Sequence, residues 1–467
     1  MRRWLLALLL LAAAPAGLEQ RIAADLAAAP PGARFGLVVA DEHGREIVAL
    51  LPDQRFVPAS NTKLFTTAAL FDSGIDLDRP DAPGGASVRL DLRPGRAPDV
   101  VLTGRGDARL SSATDCAADC LATLADAIAA RAGTVGDVIG DDSWFPDQRW
   151  SPGMSWNNMP TPSGTGISAL TIDNNEWPLT VAPGKPPVVT NDGYYRVENR
   201  ATRGATTALG FDRPPGSTAV RLTGTVSEAR TVRLGVDDPA HRAAWLLASM
   251  LRARGVRVTG AVQTRHRRLD DSDDPLKRGA VMARPPEPPA LARLSPPPLA
   301  DTATITNKVS QNVYAELLLR RVGRVRGTGS IADGQAAVRA MLARAGVPRT
   351  AYDLADGSGM SSYNRVSPRA TVTFLRWAAA QRWGARWRAT LPGGGEGTLR
   401  RRFLTGPLVG RIAAKTGGLN QTNALAGYMV AKSGRTLTFA AYANDVPGDV
   451  SATAAIDAAL EKVADAN

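Results

Sequence analysis

Alternating apolar and polar positions near the N-terminus predict a β-hairpin that leads directly into a helix. Residues 35–40 and 46–51 alternate in hydrophobicity on either side of His43-Gly44, a pair that favours a turn. Residues 61–70 follow and are apolar on one face, which is typical of a helix. Because Pro58-Ala59-Ser60 stands just before it, the pattern places a serine where this helix begins.

The middle of the chain has a different pattern, with short strand-like runs separated by turns rich in glycine and proline. From about residue 77 to 274 this pattern predicts one long helix, over 239–254, which ends at Gly255. A charged stretch at 266–275 and a proline-rich stretch at 284–298 are typical of an exit linker. We therefore expect one or two inserted, mainly β domains.

The last third of the chain returns to long helices and strands. Apolar residues recur at helical spacing over 304–322. Three strands and a closing helix are then predicted, with Ser433-Gly434 as the turn between the last two strands: 410–414, 424–430, 437–442 and 452–464. The two ends of the chain thus supply one antiparallel sheet flanked by helices, an α+β fold.

The length of 467 residues exceeds a typical domain of roughly 100 to 200 residues, so several domains are expected. We predict a signal peptide, a first part of the sheet-and-helix domain, an inserted region of one or more domains and a second part of the sheet-and-helix domain. Their ranges are 1–16, 17–76, 77–283 and 284–467.

The first residues have the composition of an export signal. Arg2 and Arg3 precede an apolar run at 4–14, and Ala14-Pro15-Ala16 offers a small-residue cleavage site before Gly17. A transmembrane anchor is the alternative, but the run is shorter than the roughly 18 to 20 residues needed to cross a bilayer. The mature protein is therefore expected outside the cytoplasm, in the periplasm or an equivalent compartment, without a transmembrane anchor.

Basic residues outnumber acidic ones, which bears on the partners. The formal charge of +12 falls to +10 when Arg2 and Arg3 leave with the leader. Such a surplus favours anionic surfaces, which for an exported protein are cell-wall polymers or lipid headgroups. Nucleic acid is not expected, because the arginines are scattered among acids and form no basic helix or zinc-finger spacing.

The two cysteines leave two alternatives open. Cys116 and Cys120 are four residues apart and, with export, could form a local disulfide; two free buried thiols are the other interpretation. A metal site would need further ligands nearby, and the sequence shows none. We predict neither a metal nor a cofactor.

The three histidines do not suggest a serine triad. His43 lies in a hairpin turn, His241 starts an Arg- and Ala-rich helix, and His266 lies in the charged stretch, so each is expected to be solvated. A hydroxyl nucleophile would therefore need another base.

Lysine is the base that the composition suggests. Of 56 basic residues, seven are lysines and 49 are arginines. Arginine does not lose its proton near neutral pH, whereas burial and nearby positive charge can make lysine a base. Lys63 stands three residues after Ser60 at a helix start, so both side chains are expected on one helix face.

Two further motifs follow in a fixed order. Ser310-Gln311-Asn312 lies in the first turns of the helical segment, and Lys415-Thr416-Gly417 falls at a predicted strand end. Each motif is weak alone. In the order Ser-x-x-Lys, Ser-x-Asn and Lys-Thr-Gly they form the signature of penicillin-binding proteins and β-lactamases.

The chain resembles one family in particular, the class C low-molecular-mass penicillin-binding proteins, which are D-Ala-D-Ala carboxypeptidases and endopeptidases of the peptidase S13 type. The similar segments span nearly the whole mature chain: 58–63, Gly-Arg-Gly-Asp at 104–107, 167–170, 307–316, Asp-Gly-Ser-Gly at 356–359, 397–399 and 414–417. The resemblance implies a penicillin-binding, β-lactamase-like transpeptidase domain with inserted domains. Its implied substrates are peptidoglycan stem peptides, and β-lactam antibiotics are its implied covalent inhibitors.

The resemblance also implies roles for individual residues. Ser60 is the expected nucleophile and Lys63 its base, kept neutral by burial and by the ammonium of Lys415. Further roles are a proton relay through Ser310 with Lys308 or Lys415, an acyl-amide contact from Asn312, and carboxylate binding by Lys415 and Thr416. The N–H groups of Ser60 and of Gly418, which follows Gly417, would receive the oxyanion.

Two departures from the family pattern concern Gln311 and Gly418. Gln311 replaces the usual Asp, and we expect it to point away from the substrate. Gly418 replaces a Thr or Ser, which keeps a backbone N–H but removes a hydroxyl that could hold the substrate carboxylate.

Other functions on the same scaffold stay open at this point. A β-lactamase uses the same three motifs but must deacylate quickly, and the long insert favours the peptidase instead. A non-catalytic cell-wall-binding protein is a third interpretation, although every catalytic residue type is present. The sequence does not decide between carboxypeptidase and endopeptidase activity, nor does it give the oligomeric state.

Plain structural roles are expected for the remaining marked residues. Packing is predicted for four tryptophans, Trp144, Trp150, Trp156 and Trp177. Caps or turns are predicted for Asp141, Asp142 and Asp356.

Overall fold

The computed structural model describes residues 17–30, 32–280 and 287–467. The predicted signal peptide lies outside these residues. The first described segment contains the predicted hairpin, which is confirmed, and the serine lies in a short 3₁₀ turn, Ala59–Asn61, before the helix. Its elements are α1 (Leu18–Ala27), β1 (Arg34–Ala40), β2 (Glu46–Leu50) and α2 (Thr62–Asp72).

The inserted region is mainly β, as predicted. Its α-helices within the described residues are α3 (Leu121–Ala129) and α4 (Pro239–Ala253), and the second is the predicted long helix. Its strands are β3 (Ser87–Asp91), β4 (Asp99–Thr103), β5 (Thr134–Val135), β6 (Val138–Pro146), β7 (Glu176–Ala182), β8 (Val188–Thr190), β9 (Arg196–Asn199), β10 (Thr202–Arg203), β11 (Ala208–Asp212), β12 (Ala219–Val226), β13 (Arg230–Gly235), β14 (Arg257–Val258), β15 (Val262–Arg267) and β16 (Ala292–Arg293).

The last segment supplies most of the helices. These are α5 (Leu299–Lys308), α6 (Asn312–Arg324), α7 (Ile331–Arg344), α8 (Pro368–Ala379), α9 (Gly384–Arg388) and α10 (Thr453–Ala466). The strands are β17 (Tyr352–Asp353), β18 (Arg365–Val366), β19 (Ile412–Leu419), β20 (Thr422–Val430) and β21 (Thr436–Asn444).

Both ends of the chain contribute to one antiparallel sheet, as predicted. Its strand order is β19-β20-β21-β1-β2, and β1 pairs with β21 so that Val38 lies opposite Ala440. Because strand residues alternate between faces, the sheet buries apolar side chains on both sides. One face packs against α2, α6, α7 and α8, and the other against α1 and α10. The predicted α+β class with mainly β insertions is confirmed.

The insert is built on a second five-stranded sheet, in the order β15-β6-β4-β3-β16. β16 lies beyond the predicted boundary at residue 283 yet pairs with β3, where Ala292 lies opposite Val88. The boundary itself falls outside the described residues and stays a prediction. A small apolar cluster joins the insert to α6, with Phe145 and Ile167 packed near Val313.

Several local predictions were wrong. The helix predicted over 304–322 is two helices, because the backbone at Ser310 has a positive φ of 65°, which a right-handed α-helix does not accommodate. The charged stretch from His266 begins inside β15 and is not linker there. Trp156 was expected to pack, but 69% of its surface is exposed.

The open question on the cysteines is answered: Cys116 and Cys120 are joined in a disulfide. Across the described ranges, no helix combines the length and the apolar character needed to span a membrane.

Candidate active site

Ser60 and Lys63 face each other at the start of α2. The 3₁₀ turn presents the serine, and Lys63 lies in the first turn of the helix, on the same face as predicted. Lys63 Nζ lies 2.9 Å from Ser60 Oγ, a hydrogen-bond distance. Lys63 is completely buried, so this contact is removed from water.

Two other groups hold the Lys63 amine. Its Nζ donates to Asn312 Oδ1 at 2.7 Å and to the Ser358 carbonyl at 2.6 Å. Burial lowers the pKa of Lys63 to about 7, although the nearby charges of Asp356 and Glu316 act to raise it. A substantial fraction of this lysine is therefore neutral near neutral pH and able to accept a proton.

The break between α5 and α6 positions the second motif. With its left-handed backbone, Ser310 places its Oγ 2.9 Å from Lys415 Nζ, which donates to it. Gln311 caps α6, and its side chain accepts a hydrogen bond from Val313 N at 3.3 Å. Asn312 donates through Nδ2 to the carbonyl of Ser163, so the insert reaches the site.

Lys415 lies in the middle of β19, not at a strand end as predicted. Besides Ser310, its ammonium contacts the Thr416 carbonyl at 2.9 Å. The Asn61 side chain donates to the Lys415 carbonyl at 2.7 Å, which ties this strand to the turn that carries Ser60.

Burial, and secondarily the charge of Lys63, holds the pKa of Lys415 well below its usual range. We expected the Lys415 ammonium to keep Lys63 neutral. Burial is the largest cause of the lowered pKa of both lysines, and the repulsion between the two amines is a further cause.

The glycines after Thr416 differ in their surroundings. A Cβ on Gly417 would lie 2.6 Å from the Pro58 carbonyl, so a side chain there would displace the turn before Ser60. A Cβ on Gly418 would meet nothing within 4 Å. Thr416 donates its hydroxyl hydrogen to Thr398 Oγ1 at 2.8 Å.

Lys308 is the one predicted residue that stands apart. It ends α5, and its Nζ pairs with Glu396 Oε2 at 2.5 Å with about a third of the side chain exposed. The structure therefore brings together Ser60, Lys63, Ser310, Asn312 and Lys415, but not Lys308.

Several contacts of the site have only weak sequence signals. The carbonyls of Ser163 and Ser358 are backbone groups, so their contacts cannot be predicted from the residue type. Glu316 has a signal, because it lies four residues before Arg320 in α6, which is the spacing of a helical ion pair. Thr398 lies in one of the segments that carried the resemblance.

The histidines lie elsewhere, although two of them are not solvated as expected. The His266 ring bridges Asp142 and Asp238 at 2.9 and 3.2 Å, and His241 lies 3.1 Å from the Tyr194 hydroxyl. Both are partly buried because they join strands and helices of the insert. His43 is exposed, as predicted.

The fold and the site together define a serine hydrolase with a lysine in the position of the base. The D-Ala-D-Ala carboxypeptidase 3 (S13) family model matches residues 18–466, and the chain belongs to this family. The predicted family, and with it a serine-type D-Ala-D-Ala peptidase function, is confirmed.

Curated relatives agree with this assignment. The D-alanyl-D-alanine carboxypeptidase of Actinomadura sp. (strain R39) is 32% identical over 86% of this chain and 76% of its own length. Carboxypeptidase DacB of Mycolicibacterium smegmatis is 28% identical over 92% of this chain and 80% of its own.

A solved structure shares the fold. Penicillin-binding protein 4 from Haemophilus influenzae superposes with a TM-score of 0.79 and 21% identity, over 95% of this chain and 98% of that one. The same protein has been solved in complex with a β-lactam. The predicted penicillin-binding fold is therefore confirmed.

Proposed function

We propose that this chain hydrolyses D-Ala-D-Ala or D-Ala cross-links in peptidoglycan stem peptides through an acyl-enzyme on Ser60. The observation that carries the proposal is the 2.9 Å contact between Ser60 Oγ and the buried amine of Lys63. A serine is a weak nucleophile unless an adjacent base removes its proton. Here the neighbouring base is a lysine whose pKa burial lowers to about 7.

Acylation follows from this geometry. The Ser60 hydroxyl proton passes to neutral Lys63, and Oγ forms a bond to the carbonyl carbon of the penultimate D-Ala. The carbonyl oxygen becomes an oxyanion in the tetrahedral intermediate. The C–N bond then breaks, the leaving amine takes up a proton, and the acyl group stays on Ser60.

The leaving amine needs a proton donor on the other side of the site. Ser310 Oγ lies 2.9 Å from Lys415 Nζ, so Ser310 can pass a proton to the amine and be resupplied by Lys415. We assign the relay to Lys415 and not to Lys308, because Lys308 is engaged with Glu396. In deacylation, water bonds to the acyl carbon and gives up a proton through Ser310 to Lys415; the ester C–O bond then breaks, and Lys63 returns its proton to Ser60.

The edge of the sheet supports the oxyanion assignment. β19 is an outer strand, and Ala414 N donates away from the sheet to the Pro392 carbonyl. Backbone direction alternates along a strand, so the Gly418 N–H is expected at the same free edge. Together with the Ser60 N–H it can receive the oxyanion, and losing one such donor typically costs on the order of 100-fold in rate.

Substrate recognition is assigned to Asn312, Lys415 and Thr416. Asn312 is proposed to contact the acyl amide, and Thr416 with Lys415 the carboxylate next to the scissile bond. Gly418 adds no hydroxyl there and leaves open space. Such space suits a leaving group larger than D-Ala, such as the second peptide of a cross-link.

Penicillin provides the first test. Intact-mass spectrometry after exposure to benzylpenicillin should show one covalent adduct, and Ser60→Ala should show none. An adduct on Ser60→Ala, or no adduct on the wild-type protein, would contradict the assignment. A long-lived adduct supports a peptidase, whereas fast turnover of penicillin would indicate a β-lactamase.

Purified muropeptides then distinguish the two peptidase activities. Monomeric pentapeptides report carboxypeptidase activity, and cross-linked dimers report endopeptidase activity. Release of terminal D-Ala without cleavage of dimers would contradict the inference drawn from the space at Gly418.

The substrate also agrees with export. Peptidoglycan lies outside the cytoplasm, and the predicted leader at residues 1–16 would direct the chain there. We therefore propose an exported, periplasmic or equivalent, location for the mature protein.

A further inference from the structure

Two buried carboxylates lie behind Lys63 and belong to none of the three motifs. Glu316 is 3% exposed and Asp356 is 2% exposed. Burying a charge is costly unless it is paired and hydrogen-bonded, so two acids side by side require a physical reason. Both of their charges act on Lys63, and the charge of Glu316 also acts on Asp356.

Glu316 projects from α6 into the turn that contacts the lysine. Its Oε1 accepts hydrogen bonds from Gly357 N and Ser358 N, each at 2.9 Å. Its Oε2 accepts from the buried Arg320 at 2.8 Å, one helical turn further on. One carboxylate therefore fixes two consecutive amides of the turn.

Asp356 holds the same turn from within. It accepts hydrogen bonds from Gly359 N at 2.9 Å, Ser361 N at 2.7 Å and the Asn364 side chain at 2.7 Å. Four backbone amides of residues 357–361 thus point at the two carboxylates. The Ser358 carbonyl, left facing the other way, accepts from Lys63 Nζ at 2.6 Å.

The charges around Lys63 come from three packed elements. They are Asp356 from the turn, Glu316 with its partner Arg320 from α6, and Lys415 from β19. Once Lys415 has passed its proton to Ser310, the two acids and Arg320 sum to one negative charge. This matches the single positive charge that Lys63 gains when it accepts the serine proton.

We propose that Glu316 and Asp356 are positioning residues for the general base: through the 356–361 turn they hold Lys63 against Ser60 and stabilise its ammonium during acylation. They act as the carboxylate does beside the histidine of a serine triad, where it orients the base and stabilises its cation. The inference rests on the proposed function, because it assigns the acids through Lys63.

The titration of Asp356 is consistent with this role. Burial, together with the charge of Glu316, raises the pKa of Asp356 to about 6. Asp356 is therefore ionised in the range where Lys63 loses its proton, near pH 7. Removing either negative charge should make the Lys63 ammonium less stable and lower its pKa.

The pH profile of acylation tests the inference. Acylation by benzylpenicillin, followed by rapid quenching and intact mass, requires neutral Lys63 and should fall on the acidic side near pH 7. In Asp356→Asn and in Glu316→Gln, the acidic limb of this profile, where the acylation rate falls, should move to lower pH by on the order of one unit. The plateau rate should fall by about 10-fold or more, because the base is weaker and less well held.

Three variants separate charge from structure. Asp356→Glu restores the charge and should return the limb toward its wild-type position even if the rate stays low. Asp353→Asn removes a half-exposed carboxylate three residues away and should leave the profile unchanged. Glu316→Gln retains one oxygen for the two turn amides, so it is expected to fold even if Asp356→Asn does not.

The outcomes are decisive in each direction. A lower plateau rate would overturn the inference if the acidic side of the pH–rate profile stayed in place or moved to higher pH. It would also be overturned if neither Asp356→Asn nor Glu316→Gln folded while Asp353→Asn did, because the two acids would then be structural only. If the wild-type protein itself does not react with penicillin, the proposed function fails instead.

Discussion

At the scale of single residues, the site depends on taking one amine out of water. Lys63 has three hydrogen-bond partners and no carboxylate in direct contact within the described residues, so burial dominates its pKa. An arginine there would keep its proton under all ordinary conditions. In a chain with 49 arginines, this chemical difference identified the position from sequence.

Lys63→Arg should abolish acylation while the protein stays folded. The guanidinium keeps the positive charge but cannot accept the serine proton, so the acylation rate should fall at least about 100-fold. Lys432→Arg is the matched control, because Lys432 is exposed and pairs with Asp465. Normal penicillin adduct formation by Lys63→Arg would show that lysine is not the base.

At the scale of elements, the turn after Asp356 packs directly on the turn that carries Ser60. Gly359 has a φ of 89°, and a Cβ there would lie 1.9 Å from the Ala59 carbonyl. The nucleophile is therefore positioned by a backbone contact as well as by its own helix. A displacement of about 1 Å at a reacting group can cost roughly 100-fold in rate.

Gly359→Ala should therefore slow acylation by about 10- to 100-fold. Gly346→Ala separates this effect from backbone strain, because Gly346 has a φ of 72° with nothing within 4 Å. The control should lose about 1–2 kcal/mol of unfolding free energy and keep its acylation rate. Equal acylation rates for the two variants, measured by quenched mass spectrometry, would refute the packing argument.

Sequence patterns predicted elements better than the breaks between them. The three motifs and the central sheet followed from spacing and periodicity. The break at Ser310 did not, because Val309 and Val313 keep helical spacing across it and serine does not mark a left-handed residue as glycine would. Val309 is accordingly 59% exposed. The contacts of Glu316 with the 356–361 turn were also missed, since they join distant segments.

At the scale of the whole molecule, a partly buried histidine joins three elements of the insert. His266 in β15 bridges Asp142 in β6 and Asp238 at the start of α4, and Arg149 lies 3.1 Å from its ring. Hydrogen bonds to Asp142 and Asp238 raise the pKa of His266 to about 10. Near neutral pH it is therefore a cation between two aspartates.

This histidine predicts a pH dependence of stability. The pKa of His266 is raised above its ordinary value of 6.5. The bridge therefore contributes its full stability to the folded protein below pH 6.5 and loses it as the pH rises through about 10. The melting temperature of the wild-type protein should thus decline from pH 7 to 10 relative to that of His266→Gln. At pH 7 the variant should melt on the order of a few degrees lower.

His43→Gln is the control for this comparison, since the His43 side chain is 82% exposed. Its melting curve should follow the wild type at every pH. Parallel pH dependence of the wild type and His266→Gln would show that the bridge contributes nothing.

The outer position of β19 has a consequence beyond catalysis. Pro392 and Gly393 cover its first half, through Ala413 and Ala414, whereas in the described residues no strand pairs with the stretch from Thr416 to Gly418 on that side. Uncovered strand edges invite pairing with any extended chain, including another copy of the same protein. The unpaired edge of β19 is thus only about three residues long. This length is enough to pair with a short peptide but too short to start an extended intermolecular sheet.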